Sequence, residues 1–159
     1  MNDNNKEKFY KSIGKVYCPY FNESVNFTDL GFEHLRFKIK QTARTHKDQI
    51  VRFKLLPFAI QVLNLSHTLQ GINSRNRFEE RIINSRREFA LTLVTYYEFI
   101  AIIDGKKIKI VIKEIKGKER IFLSIIPLFK QKSPSEEDDG FSEHLATAEC
   151  RAGVTPPNA

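Results

Sequence analysis

The sequence predicts a single α+β domain in which N-terminal helices pack on one face of a four-stranded antiparallel sheet. A long segment, His46 to Gln70, has apolar residues at helical spacing. Two β-branched runs flank Asp104-Gly105, a pair typical of tight hairpins. The chain has 159 residues, enough for one domain with a real core. We therefore predict a folded domain at 14–130, between a flexible N-terminus at 1–13 and a disordered acidic tail at 131–159.

The first part of this domain contains the candidate histidine. Residues 16–27 contain two short β-like runs with turn residues between them, and Asp29 can cap a short helix that follows. In a helix His34 and Lys38 share a face, whereas in a strand His34, Arg36 and Lys38 do. Either geometry places His34 beside a cation.

The long helical segment is predicted to end at Gly71 and to kink at Pro57. The next residues, 72–87, are polar and rich in arginine. They are interpreted as a loop with a short strand around residues 80–84. Their arginines either contact phosphate or are simply solvated.

The Asp104-Gly105 turn fixes the register of the hairpin around it. With a two-residue loop, Tyr97 lies opposite Ile112 and Phe99 lies opposite Ile110. Because side chains alternate along a strand, these positions share one apolar face, which is the predicted core face.

A second two-residue loop at Gly117-Lys118 would add a third strand. It places Phe122 opposite Lys113 and Ser124 opposite Val111. The polar face of the sheet then collects Tyr96, Glu98, Lys113, Arg120, Phe122 and Ser124. Such a face is either an ordinary solvated surface or a binding surface, and its aromatic residues favour binding.

The charge is unevenly distributed. The net charge is +7 overall, but residues 131–159 carry a net charge of −4, so the remainder carries +11. A strongly basic folded part indicates a polyanionic partner, most often nucleic acid.

The composition also indicates the cellular compartment and bears on whether the protein binds a metal or a membrane. No run reaches the ~18 apolar residues of a membrane span, and the N-terminus has no secretory apolar region. The two cysteines, Cys18 and Cys150, make a structural disulfide improbable and fit a reducing cytoplasm. No cysteine and histidine cluster has the spacing of a metal site. We therefore expect no membrane association, no metal and no cofactor.

Three phrases of the sequence resemble one known family. They are GFEHLRFK at 31–38, RFKLLPFAIQVL at 52–63 and TYYEFIAIIDGKKIKIVIKEIKGKERIFLSIIP at 95–127. They resemble the phage-associated branch of the barnase–EndoU–colicin–RelE-like (BECR) nucleases, over about Val16 to Pro127. The resemblance implies helices on a four-stranded antiparallel sheet and metal-independent RNA cleavage. It implies an endoribonuclease that acts as a toxin or phage-derived effector, with RNA and a cognate inhibitor protein as partners.

The resemblance also implies roles for particular residues. The implied catalytic residues are His34, Tyr96, Glu98, Lys113 and Ser124. The implied substrate-binding residues are Arg36, Lys38, Arg120 and Phe122. Some relatives carry a histidine in the last strand, but here the phrase FLSIIP offers only Ser124, which argues against a two-histidine acid–base pair.

The chemistry of RNA cleavage explains why such residue types suffice. RNA supplies its own nucleophile, the 2′-OH, so the protein needs a base, an acid and cations beside the phosphorus. Either Glu98 or His34 can be the base, and either His34 or Tyr96 can be the acid. We also predict that His34 lies within about 10 Å of the sheet cluster, since base and acid must flank one phosphorus.

Two other classes of function remain open from the sequence. One is a non-catalytic nucleic-acid-binding module that uses the same basic sheet face. The other is a protein-interaction domain whose basic face meets an acidic partner. Salt dependence distinguishes these two, because phosphate contacts release counterions.

Overall fold

The computed structural model describes residues 2–38 and 42–129, which form three helices and six strands, so the predicted α+β class is confirmed. The predicted acidic tail lies outside the described residues. The helices are α1 (Asp3–Ile13), α2 (Asp29–Arg36) and α3 (His46–Leu65). The strands are β1 (Lys15–Cys18), β2 (Glu23–Asn26), β3 (Gly71–Ile83), β4 (Arg86–Ile103), β5 (Lys106–Ile115) and β6 (Arg120–Pro127).

The sheet is larger than the four strands predicted. Its strand order is β1-β2-β6-β5-β4-β3, and the neighbours from β6 to β3 are antiparallel. The two early β-like runs pair as a hairpin and join β6 in parallel, with Asn26 opposite Ile121. The sheet is therefore mixed, and its last strand in the chain lies in its interior.

The register predicted for the central hairpin is confirmed. Tyr97 lies opposite Ile112 and Phe99 opposite Ile110, and Phe99, Ile110 and Ile112 are buried. The turn residues Asp104 and Gly105 have φ values of 50° and 73°, which a two-residue type I′ turn requires.

The register predicted for β6 is only half right. Ser124 lies opposite Val111 as predicted, but a β-bulge follows between Val111 and Ile112. Phe122 therefore lies opposite Ile112, not opposite Lys113. Its side chain is fully buried and stacks on Phe27 with ring centroids 4.5 Å apart. The bulge thus moves Phe122 from the predicted polar face into the core.

This bulge can be tested by two neighbouring substitutions. Phe122→Ala is expected to destabilise the fold by about 3–5 kcal/mol, because it removes a fully buried aromatic ring and leaves a cavity. Leu123→Ala should cost less, because Leu123 is only partly buried. Urea unfolding of both variants measures the difference. The register predicted from the sequence instead places Leu123 opposite Ile112 in the core. In that register Leu123→Ala would destabilise the fold more than Phe122→Ala.

The N-terminus is helical instead of flexible. Helix α1 buries Tyr10, whose hydroxyl donates a 2.8 Å hydrogen bond to the carbonyl of Thr28. Lys6 is also buried, with its ammonium 5.4 Å from the centre of the Phe53 ring and paired with Asp3. The segment therefore belongs to the domain, although its composition is polar.

The arginine-rich segment is a long strand, not the predicted loop. Strand β3 has 13 residues and turns into β4 through Asn84 and Ser85, both with positive φ. The pairing of β4 with β5 begins only at Val94. The hairpin from Asn76 to Leu93 therefore extends beyond the rest of the sheet, and we call it the arm.

Helices α2 and α3 cover the edge of β6 that β2 leaves open. Gly31 of α2 approaches this strand so closely that a Cβ there would lie 2.5 Å from the carbonyl oxygen of Phe122. Farther along, Arg52 of α3 donates to the hydroxyl of Ser124 at 3.0 Å and to the carbonyl of Ile125 at 2.7 Å. Helix α2 is thus held against β6 by close packing, and α3 by polar contacts as well.

Within residues 2–38 and 42–129, no helix has the length and apolar character needed to cross a bilayer.

Candidate functional site

One row of side chains crosses the polar face of the sheet. Backbone pairing places Asn73, Tyr96, Lys113, Ile121 and Asn26 opposite one another on five successive strands. Tyr96 and Lys113 are therefore direct cross-strand neighbours, as the predicted register requires. This row is the reference line for the candidate site.

The arm curves over this row. The ammonium of Lys113 donates to Glu79 at 2.8 Å, although Glu79 lies six positions beyond Asn73 in β3. Six residues of strand span roughly 20 Å, so only a curved ribbon brings Glu79 back to Lys113. The polar face is consequently concave here, and Thr92 on the same side of the arm is buried.

Two arginines of β3 flank the aromatic ring of Tyr96. The guanidinium carbons of Arg75 and Arg77 lie 6.0 Å and 5.6 Å from the ring centre. Both arginines are exposed, whereas Tyr96 is half-buried. An aromatic ring close to two cations can stack on a base while the guanidinium groups contact phosphate.

His34 lies on α2 and is half-buried. Burial lowers the pKa of His34 from its ordinary value of 6.5, and the charges of Lys113 and Arg44 lower it further, against a smaller opposing effect of Glu33. The neutral form of the His34 imidazole is therefore favoured.

A groove of about 540 Å³ opens beside Lys113. The 116–119 turn forms one wall with Lys118 and Glu119, and the start of α2 forms another with Thr28. Asn26 donates to Glu119 across it. The groove is thus a cleft beside the row that is lined by two lysines and one glutamate, and it is large enough for a nucleotide-sized group.

Glu98 lies one row away from Tyr96 and Lys113 on the same face. Its carboxylate accepts a hydrogen bond from Lys109 at 3.2 Å. Gly71 lies opposite Glu98, and a Cβ at this glycine would come within 2.8 Å of the Glu98 carboxylate. The missing side chain therefore makes room for Glu98.

Three of the predicted site residues lie elsewhere. Phe122 is in the core, as described above, and the buried hydroxyl of Ser124 accepts a hydrogen bond from Arg52. Arg120 is paired with Glu114 at 2.6 Å, and its guanidinium lies 4.4 Å from the centre of the Phe21 ring. The bulge explains the positions of Phe122 and Arg120, because it changes the side of the strand on which these two residues lie. Ser124 keeps its predicted register, and its hydroxyl is occupied by the contact with Arg52.

The two other cations predicted to bind substrate, Arg36 and Lys38, do not share a face with His34. Helix α2 ends at Arg36, so Lys38 does not share a helical face with His34. Lys38 is exposed beyond the helix end. Arg36 packs its guanidinium over Phe32 and Phe37, 5.7 Å and 5.4 Å from the ring centres. The cations that act on His34 are instead Lys113 and Arg44.

Sequence analysis missed the position of Arg75, Arg77 and Glu79 at the site. The sequence predicts that residues 72–87 form a loop with a short strand around residues 80–84. It leaves open whether the arginines contact phosphate or are simply solvated. The available signal was the period-two pattern Arg75, Arg77, Glu79, which precedes an Asn84-Ser85 turn and matches a strand.

Metal-binding capacity and relationships to known proteins complete the description of the site. In the described part of the chain, His, Cys, Asp and Glu side chains form no group of three that could hold a metal ion. Comparison of the chain with protein-family models, with curated proteins and with solved structures gave no match.

Proposed function

We propose that this protein is a metal-independent endoribonuclease that binds RNA on the concave face of its sheet. The observation that carries the proposal is the pairing of Tyr96 with Lys113 beside the guanidinium groups of Arg75 and Arg77. We assign the role of the base to His34 of α2, because burial and the charges of Lys113 and Arg44 lower its pKa. A neutral imidazole can accept the proton of a 2′-OH, and a neighbouring ammonium can stabilise the charge that develops on the phosphorus.

The proposed reaction is a transesterification within RNA. The 2′-oxygen attacks phosphorus, its proton moves to His34, and a bond to phosphorus forms. The bond from phosphorus to the 5′-oxygen breaks, and Tyr96, opposite Lys113, donates its hydroxyl proton to this leaving group. The products are a 2′,3′-cyclic phosphate and a free 5′-hydroxyl, and His34 and Tyr96 regain their protonation states through solvent.

Substrate binding in this proposal uses the arm. Arg75 and Arg77 contact backbone phosphates, and the nearby ring of Tyr96 stacks on a base, with a typical contribution of ~1–3 kcal/mol per stacked base. The groove beside Lys113 receives the next nucleotide. Glu98, held by Lys109, remains a predicted second carboxylate of the site.

The fold supports membership of the BECR-like nucleases as part of the same proposal. Helices α2 and α3 precede four consecutive antiparallel strands, β3 to β6, which is the order that the family resemblance implies. In this interpretation α1 and the β1–β2 hairpin are additions at the N-terminal side. Action as a toxin or phage-derived effector in the cytoplasm, with a cognate inhibitor, belongs to the same proposal.

The alternative is a nucleic-acid-binding module without cleavage. A specific observation favours it: Lys113 is already paired with Glu79, and the hydroxyl of Ser124 is occupied by Arg52. A module of this kind would use Arg75, Arg77 and Tyr96 for affinity alone.

One experiment separates the two functions. We expect the protein to cleave single-stranded RNA in EDTA, to yield 2′,3′-cyclic phosphate ends, and to leave the same sequence with 2′-O-methyl groups intact. Absence of cleavage across a broad set of RNAs, or cleavage only with added metal, would overturn the proposal. Salt-dependent binding of the 2′-O-methyl RNA without cleavage of the unmodified RNA would establish the alternative.

A further inference from the structure

The outer face of the arm is apolar and uncovered. It continues the core face of the sheet, because residues 89, 91 and 93 of β4 alternate in phase with Phe99. Strand β3 adds side chains opposite them on the same face. The exposed fractions are 71% for Phe78, 77% for Ile82, 73% for Phe89, 59% for Leu91 and 41% for Leu93.

We propose that this outer face is the contact surface of a homodimer, in which the arms of two copies pack face to face. An aromatic side chain contributes roughly 150–250 Å², so the five exposed fractions amount to about 600 Å² in each copy. Two copies then remove about 1,200 Å² from water, which reaches the lower limit of stable protein interfaces.

The charges on this face fit a second copy better than a polyanion. The only charged side chains among the face's described residues are Glu80 and Arg87, which pair across the ribbon at 3.8 Å. The face is therefore neutral and carries one acid and one base, so a two-fold axis can place the acid of one copy beside the base of the other. Arg75, Arg77 and Arg81 alternate onto the opposite, concave side.

Two antiparallel ribbons stack with their faces about 10 Å apart, and their side chains interdigitate. Because the apolar faces meet, the two concave faces point away from each other. The dimer would leave both candidate RNA sites open, so its formation does not depend on the proposed function.

Sedimentation velocity of the full chain over a wide concentration range tests the proposal. We expect the wild-type protein to sediment as twice its 18.5 kDa mass. The double variant Phe78→Glu/Phe89→Glu should raise the dimer dissociation constant at least 100-fold, because it places like charges within the apolar contact. The control Leu65→Glu alters an equally exposed apolar residue on α3, 67% exposed, and should leave the dimer intact.

The folding of each variant is followed by circular dichroism, and an unchanged far-UV spectrum is expected at these exposed positions. A wild-type protein that is monomeric up to millimolar concentration would overturn the proposal. Species larger than a dimer that keep growing with concentration would also overturn the proposal. So would a double variant that is folded and still dimeric.

Discussion

Replacement of His34 by glutamine is expected to slow RNA cleavage in EDTA by about 10²–10⁴-fold, the usual contribution of a general base. Glutamine keeps the approximate size and hydrogen-bonding capacity of the side chain but cannot accept the 2′-OH proton. Binding of the 2′-O-methyl RNA should therefore change little. Single-turnover rates and equilibrium binding, measured side by side, separate the loss of chemistry from a loss of affinity.

The control for this substitution is His67→Gln, since His67 is exposed at the end of the connection between α3 and β3. It should retain the wild-type cleavage rate. Full activity of His34→Gln would rule out the assigned role of His34 as the base.

The pH dependence follows from the same histidine. Because the base must be neutral, kcat/KM should fall as the pH drops through the pKa of His34, which lies below 6.5. The Lys113→Met substitution removes a charge that lowers this pKa, so the His34 titration followed by NMR should move to higher pH. Lys109→Met, which removes a cation paired with Glu98, is the control and should leave the titration in place.

Replacement of Arg52 by methionine should destabilise the folded state by about 3–5 kcal/mol. The Arg52 side chain is 9% exposed, and its guanidinium binds Asp48, the Ser124 hydroxyl and the Ile125 carbonyl. Burial lowers the pKa of Arg52, against the raising effect of the Asp48 carboxylate. Its removal leaves the Ile125 carbonyl and the buried Ser124 hydroxyl without this donor, whereas Asp48 keeps its ion pair with Arg44. Buried polar groups that lose their partner cost more than the loss of the contact itself.

Lys54→Met is the matched control, because Lys54 is exposed on the same helix and the substitution removes the same charge. Urea unfolding should show a change within about 0.5 kcal/mol for this surface position. If Arg52→Met were as stable as Lys54→Met, the contacts between α3 and β6 would not be important for the fold.

The local chemistry of the turns explains which parts of the fold and of the candidate site could be predicted from the sequence. The Asp104-Gly105 pair defines its own turn, so the β4–β5 register and the positions of Tyr96, Glu98 and Lys113 followed from the sequence. The bulge in β6 has no comparable local signal. It accompanies the close approach of Gly31 to the Phe122 carbonyl, and this contact joins residues about ninety positions apart.

The other differences also arise from tertiary structure. Helix α1 is polar in sequence, but Tyr10 finds a buried partner in the carbonyl of Thr28. The arm has a period-two pattern, yet its arginines and its exposed apolar side chains resemble a loop when only composition is considered. The position of His34 relative to the sheet depends on the packing of α2 against β6, which no single segment specifies.

The interior position of β6 has a consequence for synthesis on the ribosome. Strands β3, β4 and β5 are consecutive hairpins, so they can pair as they emerge. The β1–β2 hairpin and the helices α2 and α3 depend on β6, which follows β2 by about ninety residues. At about 5–20 residues per second, the nascent chain exposes the apolar sides of these earlier elements for roughly 5–20 s. During that interval the N-terminal part is a candidate chaperone client, and the arrival of a single eight-residue strand ends its exposure.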